Sequence, residues 1–139
     1  MTRAYNIVVT GSREWTDYNI IMRQLALAFE RAKTLGFTDI AVHQGECPYG
    51  GADALAKEFI NKEEDTLKAY GLTVRTISHP PQFHKHGKPA AYHVRNQEMI
   101  DLKPDEVLAF RIGGDQSRGT TSVIKYARSK GIEPTIIEA

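Results

Sequence analysis

Residues 5–13 read YNIVVTGSR. A β-branched run closed by a glycine predicts a buried strand, and the serine and arginine after it predict a loop that can approach a ligand. Outward from this stretch, β-like runs alternate with longer helical runs. The pattern predicts further strands at 39–44, 72–77, 106–110 and 134–137, and helices over 17–35, 51–70, 90–102 and 117–130.

This order of elements predicts a single domain over residues 1–139 with an α/β fold. Strands that are separated by helices can lie parallel, and right-handed crossovers then place helices on both faces of the sheet. The sequence therefore predicts a Rossmann-like three-layer sandwich around a mostly parallel five-stranded sheet. In such a sheet, ligands bind beyond the carboxyl ends of the strands, where the strand order reverses.

Composition excludes several classes of protein. The chain has 139 residues, of which 41% are hydrophobic and 25% are charged, so it predicts a folded domain rather than disorder. Its formal net charge of +1 predicts no strong general attraction to nucleic acid or anionic lipid. The single cysteine, Cys47, is typical of a reducing compartment, and no apolar run approaches membrane-spanning length. We expect a soluble cytoplasmic protein without a membrane partner.

The loop after the first strand is the first of three candidate ligand loops. Gly11 allows a ligand to approach the backbone closely, and Ser12 can donate a hydrogen bond to a phosphate oxygen. Arg13 can donate a pair of charge-assisted hydrogen bonds from its guanidinium group. A simple turn with a surface arginine is the alternative.

The second candidate loop covers residues 45–53. Gly50 and Gly51 lead into a helix, so their backbone amides and the positive end of the helix dipole can face an anion. Asp53 either hydrogen-bonds ribose hydroxyls or stabilises the helix as an acid in its first turn.

The third candidate loop follows the fourth strand. Its glycines, hydroxyl side chains and one arginine at a helix N-terminus are typical of a phosphate cradle; they include Gly113, Gly114, Ser117, Gly119 and Thr120. The segment matches neither the Walker A motif nor the Gly-x-Gly-x-x-Gly fingerprint. In the alternative reading, Ser117 caps the helix and the glycines only turn the chain.

The third long helix and the histidines complete the candidates. Arg95 can reach the same crevice, and Asn96 can recognise a base or ribose edge. His79, His84, His86 and His93 lack the compact, repeated ligand pairs of closed zinc sites, so we expect no metal site. A histidine-bearing loop over a ligand pocket is the simpler interpretation.

Together these motifs resemble a known superfamily. They occur in one order across almost the whole chain, as Gly11-Ser12-Arg13, Gly50-Gly51-Ala52-Asp53, Arg95-Asn96 with Met99, and Ser117-x-Gly119-Thr120. The chain resembles the SLOG superfamily, in particular its small YspA-type branch of bacterial and phage proteins, whose relatives include the LOG phosphoribohydrolases and DprA. The resemblance implies a Rossmann-like sheet and a bound AMP-like or ADP-ribose-like nucleotide, with no required cofactor. A phage-encoded member would act in the host cytoplasm.

The resemblance to LOG enzymes is incomplete where catalysis is concerned. Those enzymes carry Pro-Gly-Gly-x-Gly-Thr-x-x-Glu, and the glutamate helps cleave an N-glycosidic bond. Here no proline precedes Gly113, four residues instead of one separate the glycine pair from Gly119, and residues 121–123 supply no carboxylate. Arg95 does match the arginine of the LOG helix motif. A replacement carboxylate would have to come from Glu14, Glu46, Asp53 or Asp115.

Three functions follow from these observations. The first is non-catalytic binding or sensing of a nucleotide-derived small molecule, and the second is hydrolysis of a nucleotide's N-glycosidic bond. The third is DprA-like binding of single-stranded DNA, for which Trp15 beside Arg13 is the only hint, so a nucleic-acid partner is not expected. Homo-oligomerisation stays open.

Overall fold

Five strands of the described chain form one sheet. The computed structural model describes residues 3–45, 50–87, 90–113 and 118–139. The strands are β1 (Tyr5–Gly11), β2 (Asp39–Gln44), β3 (Thr73–Ser78), β4 (Glu106–Arg111) and β5 (Thr135–Glu138). They lie in the order β3-β2-β1-β4-β5, and every neighbouring pair is parallel. The predicted α/β sheet is confirmed, and it is parallel throughout rather than mostly parallel.

Helices cover both faces of this sheet. They are α1 (Tyr18–Thr34), α2 (Gly51–Lys62), α3 (Glu64–Ala69), α4 (Phe83–His86), α5 (Ala90–Asp101) and α6 (Arg118–Ser129). Asp17 caps α1, because its side chain accepts a hydrogen bond from the Ile20 amide at 3.2 Å. The result is a Rossmann-like three-layer sandwich.

The two faces of the sheet have cores of different size, because successive residues of a strand point to opposite faces. Ile7 and Val9 of β1 belong to the larger cluster, together with buried residues of α1 and α2. Val8 belongs to a smaller cluster with Met99 of α5 and Val123 of α6. The smaller core leaves room for polar side chains between the sheet and α5.

The helix predicted over 51–70 is divided into α2 and α3. Glu63 takes φ −105° and ψ 14°, which interrupts the helix for one residue. Its amide still donates to the Phe59 carbonyl and its carbonyl accepts from the Leu67 amide, so the chain bends without losing its hydrogen bonds. The bend brings α3 against β3 and packs Leu67 on the larger core. Tertiary packing therefore overrides a continuous helical pattern.

Polar contacts tie β1 and β4 together at the amino end of the sheet. The Tyr5 hydroxyl donates a hydrogen bond to Glu106 at 2.5 Å. The Arg31 guanidinium of α1 donates hydrogen bonds of 2.6–3.2 Å to the same carboxylate. Burial and the bond to Glu106 raise the pKa of Tyr5. This end is therefore closed by protein contacts, and the opposite end carries the candidate loops.

Trp15 anchors the loop that follows β1. Its side chain is 2% exposed, packs edge-on against Phe110 at 5.4 Å between ring centres, and donates its indole N–H to the Asp17 carbonyl at 3.0 Å. A ring in this position cannot stack on a nucleic-acid base, so the hint of single-strand binding drawn from Trp15 is not supported. Within the described ranges, no helix has the length and apolar character needed to cross a bilayer.

Replacement of Trp15 tests this anchor. Trp15→Ala should lower the free energy of unfolding by about 3–5 kcal/mol, because it removes a buried aromatic side chain and leaves a cavity. Leu27→Ala is the control, since Leu27 is 47% exposed on α1, and it should change stability by about 0.5 kcal/mol or less. Urea unfolding measures both. Similar losses for the two variants would contradict the anchoring role.

Candidate functional site

The candidate loops lie at the carboxyl edge of the sheet, on both sides of its switch point. The strand order reverses between β1 and β4, which are direct neighbours. Gly11 pairs with Phe110 in the register, and the Ser12 amide donates to the Phe110 carbonyl at 2.9 Å. Gly113 follows β4 by two residues, with φ +68°. Gly11 and Gly113 therefore lie at the same edge of the sheet.

The first loop packs directly on the beginning of α2. The Ser12 carbonyl accepts the amides of both Trp15 and Ala52 at 3.2 Å. A Cβ at Gly11 would lie 2.6 Å from the Ala52 Cβ, and a Cβ at Gly51 would lie 2.5 Å from the Ser12 oxygen. Gly51 also has φ +80°. These two glycines are therefore required by contacts within the protein, independently of any ligand.

Side chains of the first loop reach the surface above this contact. Arg13 is exposed, and the Ser12 hydroxyl accepts the Glu14 amide at 3.1 Å. A hydroxyl that accepts through its oxygen keeps its own proton to donate. Ser12 and Arg13 can therefore present an O–H and a guanidinium to an anion, as the sequence predicts.

Two predicted ligand residues bond to the backbone of Gly45, directly after β2, one at its amide and the other at its carbonyl. Asp53 is 9% exposed, and its carboxylate accepts the Gly45 amide at 3.2 Å. From the opposite helix layer, the Arg95 guanidinium donates to the Gly45 carbonyl and, at 3.3 Å, to the His79 carbonyl. A Cβ at Gly45 would overlap with that guanidinium. Asp53 and Arg95 therefore hold the ends of β2 and β3 in place.

Asn96 and Gly50 lie close to these contacts. The Asn96 side-chain oxygen accepts from Arg95 Nε at 2.7 Å, which orients the guanidinium. Gly50 precedes α2 with φ +92°, and a Cβ there would meet none of the described residues within 4 Å. Gly50 thus supplies a backbone conformation that other residues rarely adopt. Ligand contact by either residue stays a prediction.

The beginning of α6 offers open space for a ligand. Among the described residues, no atom other than the backbone of α6 lies within 4 Å of a Cβ built at Gly119, whereas Thr120 is 4% exposed and faces inward. The Thr121 hydroxyl oxygen is inaccessible and has no hydrogen-bond partner in the described part of the chain. A buried hydroxyl without a partner commonly marks a place where water or an ion belongs.

Some predicted residues lie outside the described residues. These are Gly114 and Ser117 of the third loop, the carboxylates Glu46 and Asp115, and Cys47. Of the other carboxylates considered for catalysis, Glu14 is exposed and Asp53 holds the Gly45 amide.

A polar chain that the sequence motifs do not reveal crosses the smaller core. The His43 ring contacts Asn6 Oδ1 through Nε2 and His79 Nε2 through Nδ1, both at 2.9 Å. Burial, with contributions from His79 and Arg75, lowers the pKa of His43 to about 4. His43 is therefore neutral at pH 7. Polar residues within two buried neighbouring strands are the signal that could have revealed this chain.

The neutral state of His43 fixes the tautomer of His79. Because the Asn6 amide nitrogen donates to the Ala4 carbonyl at 3.3 Å, its oxygen faces His43 and accepts the Nε2 proton. His43 Nδ1 then has only a lone pair and accepts from His79 Nε2–H. The remaining nitrogen of neutral His79, Nδ1, is consequently an acceptor.

His79 lines a cavity of about 220 Å³ between the end of β3 and the helices α4 and α5. Arg95 and Glu98 line the same cavity. Burial lowers the pKa of His79; Glu98 opposes this shift, and Arg95 adds to it. No group of three or more histidine, cysteine or acidic side chains in the described segments could hold a metal ion.

Substitution of Gly51 and of Gly119 distinguishes a glycine that packing requires from one that does not contribute to packing. Gly51→Ala should cost about 2 kcal/mol or more, because its Cβ would collide with backbone at a positive φ. Gly119→Ala meets open space and should change stability by less than about 1 kcal/mol. Thermal unfolding compares the two variants. Equal stability would contradict the close contact between α2 and the first loop.

The buried His43 should make stability depend on pH. Its pKa in the folded state is lower than its ordinary value of 6.5, so its contribution is complete above pH 6.5 and is lost as the pH falls towards 4. Wild type should lose up to about 3 kcal/mol over this window through His43, and His43→Gln should show a shallower slope. Urea unfolding at stepped pH measures the slopes. The exposed control His93→Gln should keep the wild-type slope, and a wild-type slope in His43→Gln would contradict the assignment.

Comparison with known proteins finds no matching family model, no matching curated protein and no matching solved structure. The resemblance to the SLOG superfamily rests on the sequence motifs alone.

Proposed function

We propose that this chain binds a nucleotide or nucleotide-derived small molecule, with its phosphate between the loop after β1 and the beginning of α6. The observation that carries the proposal is the reversal of strand order between β1 and β4, directly beneath these two loops. Crevices at such a reversal are the usual ligand sites of open parallel sheets.

The chemistry of the edge supports an anionic group at this place. α6 is a helix of 12 residues, long enough for its first amides and its dipole to favour a negative charge. In the part of the chain that the structure describes, only the backbone of α6 lies within 4 Å of the side-chain position of Gly119, which favours close approach to those amides. Arg13 and the Ser12 hydroxyl supply a charged and a neutral donor from the other side of the reversal.

In this proposal, other predicted site residues hold the backbone of the site in place and do not contact the ligand. Asp53 and Arg95 hold Gly45, which fixes where the chain leaves β2. Gly51 allows α2 to pack against the first loop. Fewer residues therefore face the proposed ligand than the sequence motifs suggest, and they belong to the first loop and to the beginning of α6.

The proposal includes membership of the SLOG superfamily and a bacterial or phage origin, on the strength of the ordered motifs. AMP and ADP-ribose represent the two ligand types that the resemblance implies. Binding without catalysis is favoured over hydrolysis because residues 121–123, Thr-Ser-Val, supply no carboxylate to the first turn of α6.

Substitution at Gly119 tests the phosphate position. Gly119→Val adds a branched side chain where the phosphate would approach, so affinity for AMP and ADP-ribose should fall tenfold or more while the unfolding temperature changes little. Ser129→Val, in the last turn of the same helix, is the matched control and should bind as wild type does. Isothermal titration calorimetry measures both. Wild-type affinity in Gly119→Val, or no binding of either nucleotide to wild type, would contradict the proposal.

The same mixtures distinguish binding from hydrolysis. Loss of one acid–base group commonly costs a factor of about 10² to 10⁴ in rate, so free base should accumulate slowly or not at all. Chromatography after hours of incubation, at protein concentrations near those of the nucleotide, measures it. Rapid release that disappears in Asp53→Asn or Glu46→Gln would identify the chain as a nucleotide N-glycosidase instead.

A further inference from the structure

The cavity beside β3 has a composition that the phosphate site does not explain. Its walls come from the segment after β3, from α4 and from α5, and they are formed by Ser78, His79, Pro80, Gln82, His86, Ala91, Val94, Arg95 and Glu98. It lies at the β3 side of the carboxyl edge, whereas the proposed phosphate site lies between β1 and β4. It is therefore a separate place for a ligand group.

The size of the cavity limits what it can hold. Its volume is about 220 Å³. Pockets for complete drug-sized ligands are larger, commonly about 300–1,000 Å³. The cavity consequently suits a single small ring rather than a complete nucleotide.

The charges in the cavity disfavour an anion. Arg95 lines it, but its guanidinium donates to the carbonyls of Gly45 and His79 and to the Asn96 side chain. Glu98 places a carboxylate in the same wall. A phosphate here would meet that negative charge, so an uncharged group is the better occupant.

The hydrogen-bonding groups favour an occupant with donors. Glu98 contributes carboxylate oxygens, which only accept when ionised. His79 contributes Nδ1, which accepts because the Asn6–His43 chain keeps the His79 proton on Nε2. Burial lowers the pKa of His79, which maintains its neutral form at pH 7. Val94 and Pro80 add apolar wall against which a ring can pack.

We propose that this cavity binds a neutral ring with vicinal hydroxyls, whose O–H groups donate to Glu98 and His79 Nδ1. Carboxylates recognise ribose hydroxyls in this way in other sheets of this kind. Either the ribose of a nucleoside or a free sugar presents this chemistry. In this arrangement Glu98 takes the role that the sequence suggests for Asp53, which is instead bonded to the Gly45 amide.

Nuclear magnetic resonance of the ¹⁵N-labelled full chain tests the proposal with four probes: adenosine, 2′-deoxyadenosine, D-ribose and inorganic phosphate. Adenosine, D-ribose or both should shift amide signals of residues 78–86 and 91–98. Binding of 2′-deoxyadenosine should be roughly tenfold weaker than that of adenosine, because one donor is missing. A response to D-ribose alone would identify the source as a free sugar, and a response to adenosine alone would identify it as a nucleoside.

Variants assign the contacts. Glu98→Gln should weaken the binding of the responding probe roughly tenfold, because a carboxylate oxygen is exchanged for an amide. Glu58→Gln, exposed on α2, is the matched control and should bind as wild type does. Equal affinity for adenosine and its deoxy analogue, unchanged binding in Glu98→Gln, or no shift in these segments with millimolar adenosine and ribose would overturn the proposal.

The phosphate probe keeps the two proposals distinguishable. Inorganic phosphate should shift signals of Gly113 and residues 118–121 and leave those of residues 78–86 unchanged. No phosphate response would count against the proposed phosphate position while the adenosine and ribose results still decide the cavity. Phosphate shifts confined to residues 78–86 would contradict the neutral-ring assignment.

Discussion

The close contact between the loop after β1 and the beginning of α2 constrains the whole carboxyl edge. One carbonyl, that of Ser12, accepts from Trp15 within the loop and from Ala52 of α2, while the Ser12 amide is bonded to Phe110 of β4. The contact exists only because positions 11 and 51 lack a Cβ. Three elements therefore meet at the backbone of Ser12, and the phosphate is proposed to lie beside this residue.

A second constraint operates at the end of β2. The Gly45 amide is bonded to Asp53 of α2 and the Gly45 carbonyl to Arg95 of α5, so two charged side chains from opposite layers fix the backbone at one residue. Beneath Arg95, the Asn6–His43–His79 chain runs through the smaller core. Burying polar groups costs free energy unless they are hydrogen-bonded to one another. This network therefore fixes the position of His79, which lines the cavity between β3 and α5.

The fold could be predicted because its signals are local and repeated. β-branched runs ending in glycine predict β1 and β2, and the strand bounds differ from the structure by one residue at most at either end. The site was harder to predict, because a glycine motif does not reveal whether the missing Cβ makes room for a ligand or for the protein itself. Gly51 proves to serve packing, whereas Gly119 faces open space. The roles of His79 and Glu98 depend on contacts between distant elements, which no spacing along the chain encodes.

The positions of the two proposed sites constrain any ligand that occupies both. The proposed phosphate site lies over β1 and β4, whereas the cavity lies beside β3. β3 and β4 are three strand spacings apart, and at about 4.8 Å for each spacing this distance is about 14 Å. In a mononucleotide the ribose is joined to its own phosphate through a single methylene group, which is too short to bridge this distance. A ligand with a second sugar beyond a diphosphate has the required length. If a single ligand fills both sites, ADP-ribose should therefore bind more tightly than AMP, and the difference should disappear in Glu98→Gln.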